Sequence, residues 1–135
     1  MTMREILFRG KEIGINRWVH GSLDIHKSGV VVIMSEEIVT SIYARVDPDT
    51  VGQYTGLTDK TGKKIFEGDI VHMNSKKFCL SGHGVVVYRN GGFAIDDRKR
   101  NRLYPFMQNG QYNAGDYRVD GNIHDHKELL HDSKV

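Results

Sequence analysis

The chain has 135 residues, of which 39% are apolar and 27% charged, with a formal net charge of +2 and a single cysteine. The length fits one domain that buries most of its apolar surface, and the composition excludes a disordered chain. One cysteine, Cys79, excludes an intramolecular disulfide and fits a reducing compartment, while the mild positive charge permits nucleic-acid binding without indicating it.

Ile6, Leu7 and Phe8 make a short apolar run, and alternation from Trp18 through Leu23 to Ile25 predicts a strand. Lys27-Ser28-Gly29 reads as a turn, and residues 30–34 as a buried strand because the run is short and β-branched. Residues 35–44 have an acidic, helix-like start, but Ile38, Val39, Thr40, Ile42 and Tyr43 favour a strand. Asp47-Pro48-Asp49 is a strong turn signal. A short strand over residues 51–55 follows, then turns at residues 57–63 and 67–69, and another strand opening at Ile70. Residues 84–89 form a strand, and Asn90-Gly91-Gly92 predicts a primed hairpin turn. Phe93 and Ile95 then return on one face. Residues 103–116 read as irregular. From Tyr117 to His124 the pattern alternates, with Tyr117, Val119 and Ile123 facing in and Arg118, Asp120, Asn122 and His124 facing out. Residues 127–131 read as a last helical turn.

Four cations stand in five positions at Arg98, Lys99, Arg100 and Arg102. Such a run neutralises phosphates, and Tyr88, Phe93 and Tyr104 nearby are candidates to stack on bases. The plainer reading is a solvated loop after a hairpin strand, since Asp96 and Asp97 precede the run. His124, His126 and His131 cluster with Asp125 and Asp132, but a metal needs a third fixed ligand and a second shell. Cys79 with His83 lacks the four ligands zinc prefers, and nothing in the spacing places a base against the thiol. The acidic pairs Asp47/Asp49, Glu67/Asp69 and Asp96/Asp97 invite an acid–base reading. Turn chemistry already accounts for the first two. No nucleophile elbow, phosphate loop or zinc-protease motif is present in the sequence.

Residues 51–71, VGQYTGLTDKTGKKIFEGDIV, are distinctive as a block. Together with MREILFRGK at residues 3–11, WVHGSL at 18–23 and GNIHDHKELL at 121–130, the block resembles the YopX family of phage and prophage proteins. The family pattern often has Asn-Pro where His126-Lys127 stands, so His126 looks like a local variant. The resemblance implies a small β-rich fold and a phage or prophage origin, and supplies no catalytic residues. Gly52, Gly56, Gly62 and Gly68 recur through the block and suit a tightly turned connection. A binding role for it would require Tyr54, Thr58 and Asp59 to stand exposed around a groove.

The expectation is therefore an all-β single domain, a small antiparallel barrel or sandwich with at most short helices. It has an N-terminal β layer over about 1–50, a barrel-like part over about 51–125 and a C-terminal tail over 126–135. The expected function is that of a non-enzymatic accessory protein that binds another macromolecule. The rival readings are a nucleic-acid-binding module using Arg98, Lys99, Arg100 and Arg102, and a small hydrolase or metal-dependent enzyme. No cofactor is expected. The sequence does not identify the partner: a protein and a nucleic acid are the candidates, a homo-oligomer is open, and a membrane is not expected, because no apolar run approaches about 18 residues. Without a signal-peptide pattern at the start, the expected location is the cytoplasm of the bacterial host.

Overall fold

The computed structural model describes residues 3–36, 41–75 and 80–130. The chain forms two compact units, Met1–Gly56 and Leu57–Val135.

In the first unit β1 (Phe8–Lys11), β2 (Trp18–Ile25), β3 (Val31–Glu36) and β4 (Ser41–Arg45) precede a 3₁₀ turn at Pro48–Thr50, and β5 begins at Gly52 and runs to Thr58. The strand order is β4-β3-β2-β1-β5. Val19, Val31, Ile33, Ala44 and Val46 form its core, with Phe8, Leu23, Ile42 and Val51 packed against it. Asp47 caps the 3₁₀ turn by accepting from the Asp49 amide at 3.0 Å, as the Asp-Pro-Asp signal predicts. Over residues 35–44 both described flanks are strand, and residues 37–40 lie outside the described residues. Arg9 is buried with its guanidinium 4.8 Å from the centroid of the Trp18 ring.

The second unit contains β6 (Lys64–Phe66), β7 (Asp69–Ser75), β8 (Leu80–Arg89), β9 (Gly92–Asp97), β10 (Arg102–Pro105), β11 (Met107–Gln108), β12 (Gln111–Tyr112) and β13 (Tyr117–Asn122). Its main sheet runs β10-β9-β8-β7-β13. The β8–β9 hairpin turns at Asn90 and Gly91 with φ of 55° and 83°, the primed geometry expected of Asn-Gly. Ile65, Val71, Met73, Val86, Ile95, Phe106 and Tyr117 make the core of this unit. Residues 103–116 are not irregular: β11 and β12 form a hairpin around Asn109 and Gly110, both at positive φ. Two-residue strands leave too little alternation to read, but the hairpin stacks Tyr112 on Tyr117 at 5.5 Å.

Among the described residues the sheets are built from antiparallel pairs and helix is confined to three 3₁₀ turns, so the fold is all-β. The barrel expected over residues 51–125 does not close, because β10 and β13 remain the edges of an open sheet. The outer edge of β13 is taken by the turn that follows β5. Asp59 Oδ2 accepts from the Val119 amide at 2.9 Å, and the Lys60 amide donates to the Tyr117 carbonyl at 3.0 Å. A strand whose ladder groups are satisfied by a turn has none left to pair with β10. Among the described residues no helix is long and apolar enough to cross a membrane.

Candidate functional site

The signature block explains itself structurally. Tyr54 and Asp59 are buried, at 7% and 3% exposure, so they do not stand around an open groove. Asp59 accepts from the Thr61 amide and hydroxyl, the Lys63 amide and the Val119 amide, all within 3.0 Å. Burial pushes its carboxyl up, but these donors outweigh burial and hold it below the usual range. Asp69 is equally enclosed and accepts from the Phe66 amide at 2.7 Å. Gly68, at φ 91°, donates to the Val86 carbonyl and accepts from the Ile123 amide.

The chemistry lies on the other face of the second unit's sheet. The pleat sends Val71 and Met73 into the core, so His72 points the opposite way. Register then places Arg118, His72 and His83 in one row across β13, β7 and β8. A bulge between Val119 and Gly121 changes the register of β13 at Asp120. Asp120 there contacts both ends of the row: its Oδ2 lies 2.7 Å from His83 Nε2, and its two oxygens accept from Arg118 at 2.6 and 3.1 Å. The Arg118 guanidinium is the main cause that lowers the Asp120 carboxyl to about 2, with His83 adding to it. The same bulge corrects one sequence expectation, because Asn122 is buried rather than outward-facing.

Asn122 organises the segment that follows. Its Oδ1 accepts from the His124 and Asp125 amides, and its own amide donates to His126 Nδ1 at 3.2 Å. The His126 ring rests on Gly121, where a Cβ would meet the ring at 2.6 Å. His126 is thereby a packing residue, and His131 and Asp132 lie outside the described residues. Among the described residues no group of three His, Cys, Asp or Glu side chains is placed to hold a metal ion.

The basic run turns between β9 and β10. Asp97, at 1% exposure, accepts from the Arg100 guanidinium at 2.7 Å and from the Arg100 amide at 3.1 Å. Arg100 also donates to the Ser81 carbonyl at 3.0 Å, so it clamps the turn to β8. Arg98 lies 3.9 Å from Asp96, which also receives Arg89 at 3.3 Å. These contacts account for the Asp96/Asp97 pair. Arg98 and Lys99 are exposed at the turn, and Arg102 sits on β10 opposite Asp97 in register. Of the candidate stacking residues, Phe93 and Tyr104 pack against the core, and Tyr88 meets Phe93 edge-on at 5.1 Å.

These parts enclose a groove of about 850 Å³. One wall carries His72 and His83, another Arg98, Lys99 and Arg100, and the third His124, Lys127 and Leu130 from the C-terminal segment. Arg102 is not in its lining. Sequence reasoning found the basic run and His83, but missed His72, Asp120 and Lys127 as their companions. It linked His83 to Cys79, which lies outside the described residues, whereas the structure joins His83 to a carboxylate 37 positions away.

The model of the YopX protein family matches residues 7–131. This chain belongs to the YopX family. Among solved structures, protein EF1440 from Enterococcus faecalis is similar at 26% identity and a TM-score of 0.57, covering 95% of this chain and 99% of that one. Protein yopX from Bacillus subtilis is similar at 18% identity and a TM-score of 0.58, covering 94% and 98%, which establishes the shared YopX fold. No curated protein matches the chain.

Proposed function

We propose that this YopX chain is a phage or prophage accessory protein of the bacterial cytoplasm that acts by binding a macromolecule, with the basic groove as its binding surface and nucleic acid as its ligand. The observation that carries the reading is convergence. Arg98 and Lys99 come from the β9–β10 turn and Lys127 from the C-terminal segment, yet all three line one groove of about 850 Å³. Cations gathered from separate elements around a concavity attract a polyanion more strongly than a solvated run does. The nearby carboxylates Asp97 and Asp120 are engaged by Arg100 and Arg118, so they oppose the attraction weakly. The phage setting rests on the family resemblance, and the binding role on the groove.

The test is fluorescence anisotropy with labelled single-stranded RNA and duplex DNA at low and moderate salt. Binding should weaken steeply with salt, and the double substitution Arg98→Ala with Lys99→Ala should flatten the log–log slope by about 1–2. Binding insensitive to salt, or unchanged by the double substitution, would remove the groove from consideration.

A further inference from the structure

We propose that His72 and His83 form the acid–base pair of an RNA-cleaving site, which promotes attack of an RNA 2′-hydroxyl on its own phosphodiester. The inference rests on the groove being the nucleic-acid surface, and adds a reaction to it.

The two imidazoles meet edge to face with centroids 5.3 Å apart, and both line the groove. Their surroundings differ. His83 faces Asp120, and an ionised carboxylate has only acceptors to offer, so Nε2 carries the hydrogen of the 2.7 Å contact. A proton that His83 gives to a ligand must then be carried on Nδ1. His72 faces Arg118 across one strand pair and His83 across the other, with Lys60 from the β5–β6 turn a further positive neighbour. Partial burial first, then Arg118 and His83, and least Lys60, lower its affinity for a proton, while Asp120 opposes them. The groove's other walls present Arg98, Lys99, the Arg100–Asp97 pair, His124 and Lys127. The two positions are therefore not equivalent: His72 is biased toward the neutral form that accepts a proton, while Asp120 holds His83 Nε2 and leaves Nδ1 as its proton-exchanging atom.

The step balances with groups already present. A ring nitrogen of neutral His72 takes the proton of the 2′-hydroxyl as the O2′–P bond forms. The P–O5′ bond breaks, and the leaving O5′ takes the Nδ1 proton of His83. The products are a 2′,3′-cyclic phosphate and a 5′-hydroxyl, and exchange with water returns both histidines to their starting states. Arg98, Lys99 and Lys127 supply positive charge toward the phosphoryl oxygens. RNA is the substrate class because the nucleophile belongs to the substrate. Single strands are preferred because in-line attack needs a sugar free of the A-form helix.

The test incubates labelled single-stranded RNA, and the same sequence in all-deoxy form, with the full chain across pH 5 to 8. The variants His72→Ala, His83→Ala and Asp120→Asn run beside it, with binding followed on 2′-O-methyl RNA. RNA alone should be cut, to 2′,3′-cyclic phosphate ends, with a bell-shaped pH profile. Each histidine variant should lose about 100-fold or more in rate while still binding 2′-O-methyl RNA. Asp120 is a positioning residue, so Asp120→Asn should lower kcat while leaving KM for RNA and the affinity for 2′-O-methyl RNA unchanged. Where a histidine variant melts below the assay temperature, His83→Gln and His72→Gln replace it. Uncut RNA with 2′-O-methyl RNA bound overturns the cleavage and leaves the groove standing, whereas absence of binding overturns the groove as well. Cutting that persists in both histidine variants also overturns the assignment.

Discussion

Asp59 and Asp120 have two donor environments, and their roles follow from them. Asp59 receives three backbone amides and one hydroxyl in a site with 3% exposure, which makes it a structural pin between a turn and β13. Asp120 receives Arg118 and the groove-lining His83, which makes it an orienting group. Both carboxyls titrate below their ordinary value of 3.8 in the folded chain. A depressed folded pKa contributes stability that is present above the unfolded value and is lost as pH falls through the folded one. Unfolding midpoints in urea should therefore drop between about pH 4 and about 2, the window set by Asp120. Asp120→Asn should flatten that drop by about 1–2 kcal/mol, since Arg118 is half exposed and screening reduces the pair. A midpoint that falls equally in wild type and variant would separate Asp120 from acid stability. These roles were only partly legible. The sequence shows Asp59 inside a turn motif, but not that Val119, 60 positions away, closes its hydrogen-bond set.

At the scale of elements, the β6–β7 connection depends on one backbone geometry. Gly68 holds φ at 91° while its amide and carbonyl tie to Val86 and Ile123. A β-branched side chain strains that conformation, so Gly68→Val should destabilise the fold by about 1–3 kcal/mol, read as a lower melting temperature. An unchanged melting temperature would mean that the connection tolerates a different backbone geometry. Strands were legible where alternation ran for five or more residues, as in β2 and β9, and where Asn90-Gly91 marked the turn. Asn109-Gly110 carries the same turn chemistry, but its two-residue strands offer no periodicity to flank it. The open sheet was hidden for another reason: closure depends on what occupies the edge of β13, and that is a turn from elsewhere in the chain.

At the scale of the molecule, the described residues form two cores, one around Ile33 and Val46 and one around Ile95 and Val71. The boundary between the two units falls within β5, a continuous strand from Gly52 to Thr58, rather than in a linker. We propose on that ground that the chain unfolds as a single domain, with one calorimetric transition whose van't Hoff and calorimetric enthalpies agree. Two resolved transitions would show independent units. By itself the sequence determined the family, the all-β class and most strand positions, because turn residues and alternation act over a few neighbouring positions. Only the tertiary structure decided the groove. Bringing Arg118, His72 and His83 into one row needs the register of three strands, and turning Asp120 onto that row needs a bulge. Register is fixed by pairing between distant segments, so no local pattern of residues carries it.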